Sequence, residues 1–123
     1  MGFIRMPASM EGANSSAAIH LLLDTGSRRN VIRKRLDSKT NVYSIGVSTY
    51  RGEIYLRLAN DSPLRGEDVD FPGLTVLGRQ IRPVPFVIVE DLKEEAILGE
   101  LTMQQLGMTL HPQSHSARLG GLQ

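Results

Sequence analysis

Along the chain, apolar runs alternate with clusters of turn-forming residues, and most runs have the length and β-branched content of strands. Phe3 to Met10 reads as a short strand, followed by Glu11-Gly12-Ala13-Asn14-Ser15-Ser16, a cluster that favours chain reversal. Ala18 to Leu23 forms a second strand. Its last three residues, Leu21-Leu22-Leu23, are continuously apolar, which predicts burial on both faces. The run stops abruptly at Asp24-Thr25-Gly26-Ser27.

Asn30 to Leu36 resumes strand character through Val31 and Ile32. Val42 to Val47 and Ile54 to Leu58 flank the polar segment Ser48 to Glu53, and Gly52 is able to supply the positive φ of a tight turn. Together they predict a long hairpin. Asn60 to Gly73 holds two prolines, two glycines and four acidic residues and reads as a loop. Leu74 to Val89 returns to strand character, and Pro83 and Pro85, which cannot donate to a ladder, predict an edge or a bend. The one convincing helix is Glu100 to Leu106, with Gly107 placed as its C-terminal stop. Met108 to Leu110 and Ala117 to Leu119 predict a terminal hairpin. The pattern is that of an all-β domain with one short C-terminal helix.

Length and composition bound this reading without changing it. A chain of 123 residues holds one core and buries about two-thirds of its extended surface, so residues 1–123 are read as a single domain. With 41% apolar and 22% charged residues it falls among ordinary globular domains. A net charge of +1 lacks the footprint of a dedicated nucleic-acid binder, so no nucleic-acid partner is expected. The absence of cysteine excludes disulfides, thiolate metal sites and thiol catalysis, and is compatible with reducing surroundings. No stretch approaches the ~20 apolar residues of a membrane span, and the first twenty residues carry no signal-type apolar run. Met1-Gly2 opens like an acylation signal, but Met6 stands where Ser or Thr is required. A soluble protein is expected, with the compartment left open and an origin as an excised piece of a longer chain compatible.

The segment that carries chemistry is Leu21-Leu22-Leu23-Asp24-Thr25-Gly26-Ser27. A carboxylate at the exit of a buried strand is costly unless hydrogen-bonded. Gly26 permits close backbone approach, and Thr25 and Ser27 supply hydroxyls that can orient neighbouring groups. Two readings of Asp24 stand at this level: a positioned, functional carboxylate, or an Asp that merely starts a turn.

Asp24-Thr25-Gly26-Ser27 resembles the D-T-G-[SA] signature of the pepsin clan of aspartic proteases, and the similarity extends further. Val47 to Glu53 begins 23 residues beyond Asp24 and is similar to the flap of a retroviral-type protease. Phe86 to Leu92 and Ala96-Ile97-Leu98-Gly99 resemble that family's second block, which threads beneath the catalytic loop into a short helix. The likeness covers about Phe3 to Leu119 in the family's order. It departs at Glu100, where retroviral enzymes usually carry arginine, and in the longer Asn60 to Gly73 segment.

The resemblance implies a retropepsin-like fold, a pepsin-like closed β-barrel with a flap hairpin, and aspartic endopeptidase activity without cofactor or metal. No other aspartate repeats the motif, since Asp37, Asp61, Asp68, Asp70 and Asp91 all have different neighbours. The resemblance therefore implies a homodimer in which Asp24 of each subunit forms the catalytic pair on an extended polypeptide substrate. Thr25 is implied to bond across the axis and Ser27 to support the carboxylate. Ser48, Thr49, Tyr50, Arg51 and Gly52 are implied to form the substrate-binding flap, and Ile97, Leu98 and Gly99 the substrate pocket. Ile97 is equally suited to the core. A non-catalytic dimerisation or peptide-binding module of the same fold is the alternative.

Other signals are set aside. Arg28, Arg29, Arg33, Lys34 and Arg35 form a basic cluster without interleaved aromatics and are read as a solvated face. His111 and His115 have metal-ligand spacing only on a helix, which Pro112 opposes, so no metal is expected. Asn14-Ser15-Ser16 and Asn60-Asp61-Ser62 match a glycosylation pattern that has no meaning without secretion. Gly26 stands where a haloacid-dehalogenase-type phosphatase needs its second aspartate, which rejects that class.

Overall fold

A computed structural model describes residues 3–57, 62–111 and 116–120. The first two strands are β1 (Ile4–Glu11) and β2 (Ser16–Leu23), paired antiparallel in unbroken register from Ile4 opposite Leu23 to Glu11 opposite Ser16. β3 (Val31–Arg33) and the short helix α1 (Val42–Ile45) follow, then β4 (Thr49–Arg57) and β5 (Pro63–Phe71). β6 (Gly73–Val76), β7 (Arg79–Ile81), β8 (Val84–Val89) and β9 (Ala96–Leu98) precede helix α2 (Glu100–Leu106). The two-stranded pair β10 (Met108–His111) and β11 (Ser116–Leu119) is the expected terminal hairpin. Its loop lies outside the described residues.

Nine strands form one sheet in the order β4-β5-β8-β3-β9-β2-β1-β6-β7. Most neighbours are antiparallel, but β2 runs parallel to β9 and β3 parallel to β8. These parallel pairs put the end of β2 in the middle of the sheet. Leu21, Leu22 and Leu23 are all buried there, as the apolar run predicts, between β1 on one side and β9 on the other. Burying a leucine fully stabilises by about 1.5–3 kcal/mol, so the run anchors whatever follows it. The core is built from alternating positions of the same strands, with Phe71 and Phe86 meeting edge to face at 6.0 Å.

The sheet is not closed into a barrel. Among the described residues its outer strands, β4 and β7, each carry one ladder and do not meet. β4 packs its inward Ile54 and Leu56 on the small cluster of Val31, Val87 and Val89, at the opposite edge of the sheet from β7, which is three residues long.

Local expectations are also corrected. Val42 to Val47 is not a strand: Asn41 caps helix α1, its side chain accepting from Tyr43 N–H at 2.9 Å. Gly52 does not turn the chain. Its φ of 106° accommodates a bulge within β4, where the pairing with β5 shifts between Tyr50 and Gly52. The segment read as a loop is strand β5 over Pro63 to Phe71, its charges matched across the ladder by Arg51 with Asp68 and Asp70, and by Arg65 with Glu53. The predicted stretch from Leu74 to Val89 divides at Leu77 and Gly78, both at positive φ, which make the two-residue turn between β6 and β7. Pro83 falls in the bend before β8. Pro85 lies inside β8, an inner strand, and is accommodated because the β3 ladder begins only at Val87. Helix α2 matches its expected bounds, and Gly107 ends it at φ 67° with its N–H bonded to the Gln104 carbonyl.

Candidate active site

Asp24 leaves the sheet at the end of β2, its N–H donating to the Leu98 carbonyl at 3.0 Å, so β9 fixes the point of exit. The side chain then folds over the turn: Asp24 Oδ1 accepts the Gly26 N–H at 2.8 Å, and the Asp24 carbonyl accepts the Ser27 N–H at 3.1 Å. A Cβ on Gly26 would sit 3.1 Å from that Oδ1, so a side chain there crowds the carboxylate. Asp24 is half-buried and Thr25 and Gly26 are exposed, which leaves the acid group reachable from solvent at the lip of a buried strand. Ser27 does not bond to the carboxylate. Its hydroxyl donates to the Arg29 carbonyl at 2.7 Å and its own carbonyl accepts the Glu100 N–H at 2.7 Å.

The turn is held from below by a residue that sequence reasoning passed over. Asn30 is 4% exposed. Its Oδ1 accepts the Gly99 N–H at 2.8 Å, and its Nδ2 donates to the Pro85 carbonyl at 2.8 Å and to Thr102 Oγ1 at 2.7 Å. One buried amide thus ties the Asp24 loop to β8, to the end of β9 and to α2, with acceptor and donors all satisfied. Gly99 is required beside it, since a Cβ there would stand 2.6 Å from the Arg29 carbonyl oxygen and 2.8 Å from that of Ser27.

The remaining expected residues divide. Ile97 is half-buried and packs on a small cluster of Val31, Val87 and Val89. Leu98 is fully buried in the main core, so its surface serves packing. Ser48, Thr49, Tyr50, Arg51 and Gly52 sit at the base of the β4–β5 hairpin rather than at its tip. Ser48 N–H donates to the Asp70 carbonyl at 2.8 Å, Tyr50 O–H to Glu67 Oε2 at 2.9 Å, and Arg51 to Asp68 at 3.0 Å and Asp70 at 2.9 Å. The hairpin's own loop, residues 58–61, lies outside the described residues. Tyr43 also donates to Glu67, and these two hydroxyls, Tyr43 first, hold the Glu67 carboxyl below the ordinary range.

A cleft of about 330 Å³ adjoins the Asp24 turn. Gly26, Ser27, Arg28, Arg29 and Val31 line it from the Asp24 loop and the start of β3, and Leu56 and Arg57 line it from β4. It is therefore the far half of β4, not the segment around Gly52, that faces the candidate catalytic loop. A second cleft of about 410 Å³ lies beyond Arg28 and Arg29, between β8 and α2. It does not touch Asp24 or Gly26, so the smaller cleft is the one that belongs to the site.

This fold, with a D-T-G-S turn at the exit of an inner strand, is retropepsin-like. The chain matches the retroviral protease-like domain of Ddi1 from Leishmania major with a TM-score of 0.64 at 13% identity, over 99% of this chain and 91% of that one. It matches a retropepsin-like aspartic protease from Rickettsia conorii with a TM-score of 0.59 at 12% identity, over 89% and 77% respectively. At these identities the likeness is one of fold. No protein-family model and no curated protein sequence matches the chain. No helix among the described residues is long and apolar enough to cross a membrane.

Proposed function

We propose that the protein is an aspartic endopeptidase, active as a homodimer in which Asp24 of each subunit contributes one carboxyl group. The observation that carries this is the half-buried Asp24 carboxylate, oriented by the Gly26 N–H at 2.8 Å at the exit of an inner strand of a retropepsin-like fold. A single chain supplies one such group, and a two-fold axis is the economical way to bring a second beside it. Two carboxyl groups in contact cannot both ionise, so they share a proton. The ionised partner takes a proton from water as it attacks the scissile carbonyl, and the protonated partner donates to the carbonyl oxygen. No cofactor enters this chemistry.

In this reading Thr25 bonds across the axis. The β4–β5 hairpin, with Ser48 to Gly52 at its base, covers an extended substrate that pairs with it strand to strand. Ile97 stands beside the pocket nearest the cut, while Leu98 and Gly99 support the floor under the catalytic loop.

The test is cleavage of a denatured polypeptide by the purified protein. Activity should be blocked by a pepstatin-type transition-state mimic and lost, by at least about a thousandfold, in Asp24→Asn with the dimer retained. Cleavage that survives Asp24→Asn contradicts the assignment. An inert but dimeric wild type instead supports a non-catalytic dimerisation or peptide-binding module.

A further inference from the structure

We infer that the cleft beside Asp24 selects substrates with an acidic side chain close to the scissile bond, and that Arg28 is the residue that selects them. This rests on the endopeptidase reading for the word scissile, but the cleft and its charge stand without it.

The structure divides the basic cluster that the sequence presents as one solvated face. Arg33 is fully engaged by backbone: its guanidinium donates to the carbonyls of Arg35 at 2.7 Å, Leu36 at 3.1 Å, Leu92 at 3.3 Å and Lys93 at 3.4 Å. Lys34 pairs with Glu90 at 3.2 Å. Both are structural. Arg28 and Arg29 are different, for both line the cleft that begins at Gly26, one hydrogen bond from the Asp24 carboxylate. Arg29 has a loose ion pair, 3.9 Å from Asp68, a carboxylate already held more closely by Arg51 at 3.0 Å. Arg28 is exposed and has no hydrogen bond or ion pair among the described residues. Arg57, at the end of β4, also lines this cleft.

Three arginines therefore line a cleft whose reachable apolar surface, among the described residues, comes from Leu56. Such a site suits a chain with a carboxylate head on a short aliphatic stem, as glutamate has: the stem lies on Leu56 and the head meets a planar fork of donors. A lysine side chain is repelled there, and a glutamine fits the space without the charge. Among the described residues no aromatic side chain lines the cleft, which gives a nucleic-acid base no platform there on which to stack.

The experiment compares octapeptides that share one cut site and differ only by Glu, Gln or Lys at the positions flanking it. With the full chain, kcat/KM for the Glu peptide should exceed that for the Gln peptide by about tenfold, the size of one charge-assisted hydrogen bond, and the ratio should shrink as salt is raised. Arg28→Glu should reverse the order in favour of the Lys peptide, and Arg28→Gln should abolish the preference without reversing it. Equal kcat/KM for Glu and Gln peptides, or a ratio unchanged in both variants, overturns the inference. Binding of fluorescent versions of these peptides to Asp24→Asn separates it from the catalytic reading. Tighter retention of the Glu peptide by Asp24→Asn, lost on adding Arg28→Glu, supports the inference even if the wild type cleaves nothing. Retention of an oligouridylate in preference to the Glu peptide overturns it.

Discussion

At the scale of single residues, the site divides into what the chain encodes locally and what it encodes at a distance. Asp24, Gly26 and Ser27 are legible in sequence because they fall within four consecutive residues and their bonds close a turn over two or three residues. Asn30 is not, because its partners lie 55, 69 and 72 residues away and only the fold brings them together. Its one local sign is an amide beside the apolar pair Val31 and Ile32, a position that costs free energy unless the amide is bonded. Asn30→Ala should strand the Gly99 N–H and the Thr102 hydroxyl in a dry site and destabilise the fold by about 2–4 kcal/mol, as measured by urea denaturation. A loss below about 1 kcal/mol contradicts the role given to this amide. Gly99→Ala forces a methyl against two carbonyl oxygens of the Asp24 loop and should cost about 1–3 kcal/mol, as measured by urea denaturation.

At the scale of elements, apolar strands and the glycine-stopped helix α2 announce themselves, whereas the one-turn helix α1 and the charged hairpin do not. β1, β2 and α2 were readable because period and caps agree with burial. β5 carries Arg65, Glu67, Asp68 and Asp70 between two prolines, a composition that looks like a loop until β4 supplies the opposite charges. For the same reason the turn was placed at Gly52, where the local signal for positive φ is correct but its use is a bulge. Glu67 joins this hairpin to α1 through Tyr43 and Tyr50, and its carboxyl is held below the ordinary range chiefly by the Tyr43 hydrogen bond. A depressed folded pKa stabilises above the ordinary carboxylate range, and that contribution is lost as pH falls through the folded value. The urea midpoint of the wild type should therefore drop more steeply than that of Glu67→Gln between about pH 5 and pH 3. Parallel curves contradict a stabilising role for this carboxylate.

At the scale of the whole molecule, the proposed dimer makes one chain half of a site. The sheet is open, and the parallel pairs β2–β9 and β3–β8 hold the Asp24 turn at its centre, half-exposed, with the cationic cleft beside it. The retropepsin-like arrangement was readable from the order of its pieces. The open sheet was not, because closure depends on which strands the edges β4 and β7 meet in space, and no local pattern encodes that. The proposed mechanism needs two Asp24 carboxyls in one dimer, and mixing subunits tests this most directly. Wild type and Asp24→Asn are combined at constant total concentration, allowed to exchange, and assayed for cleavage as a function of the wild-type fraction. With a shared pair, activity follows the square of that fraction and falls to about one quarter in the equimolar mixture. A linear fall to about one half would show that each Asp24 acts alone and would contradict the account.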